Sequence, residues 1–195
     1  MTTGETTPRV YRASSIWDKM VGASLLKVDV YEEVEADSQQ NWPAFAVVVI
    51  ASVASGLGTA IGGLVAHVDN VWLFFLVGLG TSIAGWLLWA LTTYALGTTI
   101  FRGPDTQATY GQLLRTLGFS NSPGVLRFFS FIPFVGGIVA FAASIWVVVA
   151  GVVAVRQALD FSTWRAIGTC VVGWIIYVLV LFVIPGLWLG WQVFF

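Results

Sequence analysis

The chain has 195 residues, 57% of them hydrophobic and only 10% charged, and its mean hydropathy is +0.85. A water-soluble domain carries about 25% charged residues, so much of this surface is built to meet lipid. The net charge of −1 gives nucleic-acid binding no support, and a single cysteine, Cys170, excludes an intrachain disulfide.

Residues 1–14 are polar, aperiodic and without the apolar core of a secretory signal. They are expected to be a disordered tail, leaving the first span to act as its own insertion signal. Residues 15–42 read as a cytoplasmic amphipathic and acidic juxtamembrane segment. Ile16, Trp17, Met20, Val21, Leu25 and Val28 recur at three- and four-residue spacing. That pattern predicts a helix too short to span, lying in the lipid interface or packed on the rest of the chain. Asp29 with Glu32 resembles a capping pair opening a second short helix. Glu32, Glu33, Glu35 and Asp37 then form an acidic patch. Their spacing matches no calcium loop, so a solvated or ion-paired face is expected.

Residues 43–195 read as the transmembrane bundle. The first span covers about Pro43 to Ala66, with Trp42 at its start. Gly58 and Gly62 make a small-xxx-small pair, which lets another helix approach closely. His67 and Asp69 fall in a short turn, and the second span covers about Val71 to Phe101. In the polar connection 102–127, Thr106 is placed to cap an interfacial helix with Leu113, Leu114 and Leu117 on its apolar face, and Gly118 to end it. The motif Asn121-Ser122-Pro123-Gly124 then breaks the chain. Residues 128–155 carry no charge but hold Pro133 and the pair Gly136-Gly137, which an unbroken helix would avoid. A last span runs from about Ala166 to Leu187, ending near Pro185-Gly186, with Trp188 and Trp191 at the far interface.

Basic residues near membrane segments favour the cytoplasm. Crossing once, residues 128–155 would put Arg156 and Arg165 outside; entering and returning, they would put all nine Lys and Arg residues inside. The second option satisfies the rule. It needs a short limb at about 123–134 and a full span at about 136–155, because two full crossings need about 20 residues each. The expectation is an all-α integral membrane bundle of five segments, one short or broken, with the N-terminus cytoplasmic and the C-terminus outside. The alternative is four simple spans. Arg127 is expected at the cytoplasmic interface, pairing with the acidic patch, capping a helix end or snorkelling to lipid phosphate.

Tyr31-Glu32-Glu33-Val34-Glu35-Ala36-Asp37, the Leu117-Gly118-Phe119…Pro123 element and Arg156…Arg165-Ala166 occur in an order that resembles the Yip (Ypt/Rab-interacting) membrane domain family, bacterial branch, over about residues 25–190. The resemblance implies a five-segment bundle with a cytoplasmic N-terminus in a bacterial inner membrane. Eukaryotic relatives bind prenylated small GTPases; the short N-terminal region here looks prokaryotic and does not carry that role over.

No HExxH motif, paired intramembrane aspartates or serine–histidine pair is present, so the chain is not expected to be an enzyme, and no cofactor or metal is implied. Ten tryptophans and abundant small residues favour a membrane scaffold or accessory subunit, whose partners are the bilayer and other subunits or itself. The alternative is a small-solute transporter or channel built on the broken segment around Pro133, Gly136 and Gly137.

Overall fold

The computed structural model describes residues 15–194 except Asp105, with the backbone alone for residues 180–194. The expected tail, residues 1–14, lies outside them. The described residues form seven α-helices, a short 3-10 turn and a long 3-10 helix, with no strand among them.

Helix α1 (Ile16–Ser24) opens on a capping box. The Asp18 amide donates to Ser15 Oγ at 3.2 Å, and the Ser15 amide donates to the Asp18 carboxylate at 3.1 Å. Helix α2 (Val28–Ala36) starts from Lys27 without a side-chain cap. The expected Asp29–Glu32 cap is therefore not made; Asp29 lies in the first turn, where the helix dipole favours a carboxylate. Helix α1 packs one side on the rest of the chain. Met20 and Ala23 are buried, while Trp17, Val21 and Leu25 stay exposed along one side. Trp146 Nε1 donates to the Ser24 carbonyl at 2.7 Å, fastening the end of α1 against the bundle.

Helix α3 (Asn41–Val65) follows the 3-10 turn Ser38–Gln40. Its end we call upper and its start lower. His67 and Asn70 turn the chain in left-handed conformations, φ 56° and 58°, and α4 (Val71–Thr98) descends beside α3. Helix α5 (Tyr110–Ser120) is capped by Thr109, whose Oγ accepts from the Gln112 amide. Thr106, expected as the cap, instead accepts from the Gly103 amide at 2.9 Å. Nor does Gly118 end the helix, which continues to Ser120. A Cβ at Gly118 would lie 3.0 Å from the Ala44 carbonyl oxygen, so its bare backbone lets α5 seat on α3.

Past Asn121 the chain tightens into a 3-10 helix, Ser122–Phe131, with Pro123 in its first turn. Gly118 sits at the level of Ala44, Gly124 beside Ala51, Arg127 and Phe128 against Gly58, and Phe131 beside Gly62. The segment therefore climbs parallel to α3. Its length resolves the shortage of residues. Ala44 to Gly62 covers about 27 Å at 1.5 Å per residue. Gly118 to Phe131 covers about 25 Å, because 3-10 backbone advances about 2 Å per residue.

The chain reverses at Ile132–Val135, where Phe134 takes φ 65° and the Gly136 amide donates to the Ile132 carbonyl at 2.7 Å. Helix α6 (Gly136–Ala158) then descends, with Gly136 against Ser130, Val147 beside Gly124 and Gly151 beside Ser120. After a turn holding Asp160 at φ 51°, α7 (Thr163–Phe194) climbs against α4: Gly168 faces Phe101 and Gly85 faces Tyr177. The α7 backbone continues through Pro185-Gly186, which do not end it; the side chains of Trp188 and Trp191 fall outside the described set.

Three helical stretches are long and apolar enough to cross a membrane, Ser38–Val65, Val71–Thr98 and Gly136–Ala158, and the described part of α7, Thr163–Leu179, is shorter and apolar. Large apolar side chains on α4 such as Trp72, Leu73, Phe74 and Leu76 are exposed, as a lipid-facing surface requires. The tight core lies at the lower end. Tyr31, Val34, Ala44, Val47, Leu113, Leu117, Phe119, Val155 and Leu159 are fully or almost fully buried there.

Candidate functional site

Five segments close a ring: α3 touches the 3-10 helix, which touches α6, which touches α7, which touches α4, which returns to α3. The ring borders a half-open cavity of about 650 Å³ lined from all five segments. Ser52 and Ser55 come from α3, Trp86 and Trp89 from α4, Arg127 from the 3-10 helix, Val148 from α6, and Cys170 and Trp174 from α7. A second hollow of about 480 Å³ between α3 and α4 shares Ser52, Ser55 and Ser82 with it and extends to Ala66 and Val68 at the upper end. The small residues of α3 thus border open space on one side and packed backbone on the other.

Arg127 is half-buried. The structure does not place it at the lower interface with the acidic patch. Its carbonyl packs on Gly58, seventeen positions into α3, or about 25 Å from the start of that helix. Its Nε is buried without a hydrogen-bond partner, as are the indole nitrogen of Trp86 and Ser130 Oγ. Among the described residues no hydrogen bond or ion pair engages the guanidinium. The sequence explains why no counterion is near: α3, α4, the 3-10 helix, α6 and α7 contain no Asp or Glu.

The contact with the acidic segment expected of Arg127 is made by Arg115. This side chain is only 6% exposed. Its Nε donates to the Val34 carbonyl at 3.1 Å, Nη2 to the Glu35 carbonyl and Nη1 to Asn41 Oδ1 at 3.1 Å. It therefore closes the C-terminal end of α2, whose last carbonyls have no helical donors, and ties α2 to α3 and α5. Burial lowers its pKa, opposed by the Glu35 and Asp37 carboxylates. Nothing in the periodicity of residues 102–127 distinguishes Arg115 from a solvated arginine.

The acidic patch is distributed over several partners. Glu32 accepts from Gln157 at 3.2 Å, Glu33 pairs with Lys19 at 3.2 Å, and Glu35 accepts from Gln112 at 2.9 Å. Hydrogen bonds from Gln40 and the Gln39 amide hold the Asp37 carboxyl below its usual range. Burial first, then the charge of Asp160, pushes the Glu35 carboxyl up to about 7, against the opposing bond from Gln112 and the charge of Arg115. The linkage sign follows. Folding favours protonated Glu35, so its contribution is greatest below about pH 4.5 and is lost as pH rises towards 7. Glu35→Gln is expected to raise stability at pH 8 by about 1 kcal/mol, discounted for a half-exposed group, and to change nothing at pH 4. Thermal unfolding of both proteins across pH 4–8 checks this; parallel pH curves would contradict it.

Gly58 and Gly62 face the 3-10 helix, so the small-xxx-small face packs on another helical segment. Pro133, Gly136 and Gly137 lie at the upper turn and line neither hollow. The break reverses the chain; it does not form the cavity, which the sequence did not reveal.

The family model for the Yip1 domain matches residues 25–185. The chain belongs to the Yip1 domain family. The match takes in α2 to α6 and α7 as far as residue 185, with Arg115, Arg127, Arg156 and Arg165 inside it. Neither a curated protein nor a solved structure matches the chain. This Yip1-family chain is a membrane protein with several apolar helices.

Proposed function

We propose that this Yip1-family protein is a non-enzymatic five-segment protein of the cytoplasmic membrane that binds a small solute in the ring cavity and passes it across. One observation carries the reading: a cavity at membrane depth holds an arginine with no counterion in any of the five segments. Ionisable groups inside a membrane are expensive and accompany substrate or ion paths. The second hollow, reaching from the cavity to the upper turn, supplies a route. The lower end holds Lys19, Lys27, Arg102, Arg115, Arg156 and Arg165 near the ends of its helices, which supports a cytoplasmic lower end with the C-terminus outside.

The scaffold or accessory-subunit reading drew on the small-residue faces. Gly56, Gly58, Gly63 and Gly118 are occupied by contacts within the chain, which weakens that support. Purified protein in liposomes distinguishes the two. Efflux of labelled lactate, phosphate or glycine faster than from empty liposomes, and lost on filling the cavity with Ser52→Trp, is expected. No flux, together with a stoichiometric set of partner proteins after mild-detergent purification, would instead make the chain an accessory subunit.

A further inference from the structure

The chemistry of the cavity narrows its ligand, granted that the cavity is a binding site. Arg127 and Trp86 stand on its wall; Arg127 Nε and Trp86 Nε1 are sealed within that wall without a hydrogen-bond partner, and no hydrogen bond or ion pair among the described residues engages the rest of the guanidinium. Neither side chain can accept a hydrogen bond. A cation or a pure donor would find no partner in them. The hydroxyls nearby are partly committed: Thr81 donates to Val77 and Ser120 to Leu117. Around these polar points the wall is aromatic and aliphatic, with Trp89, Val148 and Trp174. A buried guanidinium is costly until an anion meets it, and Arg presents a fork that matches carboxylate and phosphate oxygens.

We infer that the cavity takes an oxyanion, a carboxylate or phosphate group, seated on the Arg127 guanidinium with its apolar body on the tryptophan wall. Two sources share this chemistry: the headgroup of an anionic lipid entering sideways, and a small acid arriving from water. Ser52, half-buried on the same wall, carries the reporter as Ser52→Cys in a Cys170→Ser background, since the chain's one native cysteine, Cys170, is itself buried.

The test uses full-length protein in phosphatidylcholine nanodiscs and three methanethiosulfonate reagents: neutral methyl, anionic sulfonatoethyl and cationic trimethylammonium-ethyl. Rates at position 52 are taken relative to those with a free thiol. The anionic reagent is expected to exceed the cationic one by about tenfold or more, as an uncompensated positive charge in a low-dielectric site dictates. Arg127→Gln should abolish that preference, and Arg127→Lys should keep most of it, which separates charge from folding. Slowing of the neutral reagent by phosphatidylglycerol in the disc assigns the oxyanion to lipid; slowing by decanoate or inorganic phosphate assigns it to a water-borne acid. A neutral reagent that reacts, with no charge preference and no protection by any of these, overturns the oxyanion and leaves the cavity standing. A neutral reagent that fails to react overturns the cavity as a binding site, and the oxyanion with it.

Discussion

Gly58→Leu is expected to leave too little room for the 3-10 helix and to prevent a stable fold. A Cβ at this position already collides with the carbonyl oxygens of Phe128 and Arg127 and lies 2.8 Å from Ser130 Oγ. The two carbonyl oxygens are backbone atoms of a segment pinned on its other side by α6, so they cannot turn away as a flexible side chain could. Overpacking of this kind costs about 1–3 kcal/mol where a core can adjust, and more where it cannot; a value at or above about 3 kcal/mol is expected here. Gly136→Val should behave similarly, since its Cβ would strike the carbonyl of Ser130. Gly78→Ala is the control, because nothing lies within 4 Å of a Cβ there, and alanine favours helix by up to about 1 kcal/mol. The readout is the monodisperse yield in detergent and the thermal midpoint of each variant. A Gly58→Leu protein as stable as Gly78→Ala would show that the 3-10 helix does not pack on α3.

Arg115→Ala is the second large effect. Its loss strands the carbonyls of Val34 and Glu35 and the amide oxygen of Asn41, all bonded to one guanidinium. A hydrogen bond to a charged group contributes about 1.5–3 kcal/mol, and three share one partner. A loss of about 2–4 kcal/mol is expected, with α2 detaching before the ring opens. Arg115→Lys should recover less than half, because an ammonium cannot reach three divergent acceptors as the planar fork does. Limited proteolysis between Lys27 and Asn41 follows the detachment directly: faster cleavage in Arg115→Ala at a temperature where the ring remains folded. Equal cleavage of wild type and variant would remove Arg115 as the clasp.

The contrast between these residues and Arg127 shows what the sequence can transmit. Pro133 and Gly136 announce a break in chemical terms, through a missing amide and a missing Cβ, so the interruption of the apolar stretch could be read before the fold. Helix α6 accordingly starts at Gly136. The 3-10 geometry of residues 122–131 could not be read, because ten residues with polar side chains only at Ser122, Arg127 and Ser130 carry too little pattern to distinguish 3.0 from 3.6 residues per turn. That unreadable change in rise carries Arg127 up beside Gly58, away from the lower end where charge counting put it. The cap of α5 was readable: Thr109-x-x-Gln112 is a capping box, a stronger signal than Thr106. The cavity was not, because Ser52, Trp86, Arg127 and Cys170 come from four different segments and meet only through tertiary packing.

The ring exists only if the fourteen residues from Gly118 to Phe131 pass from one face of the membrane to the other. Single cysteines at His67→Cys, Phe134→Cys and Asp160→Cys, each in a Cys170→Ser background, report this directly when an impermeant maleimide is applied to intact cells and to inverted membrane vesicles. Positions 67 and 134 are expected to label from the same face and position 160 from the other. Position 134 labelling together with position 160 would mean that the 3-10 segment turns back without crossing, and the five-segment ring would be wrong.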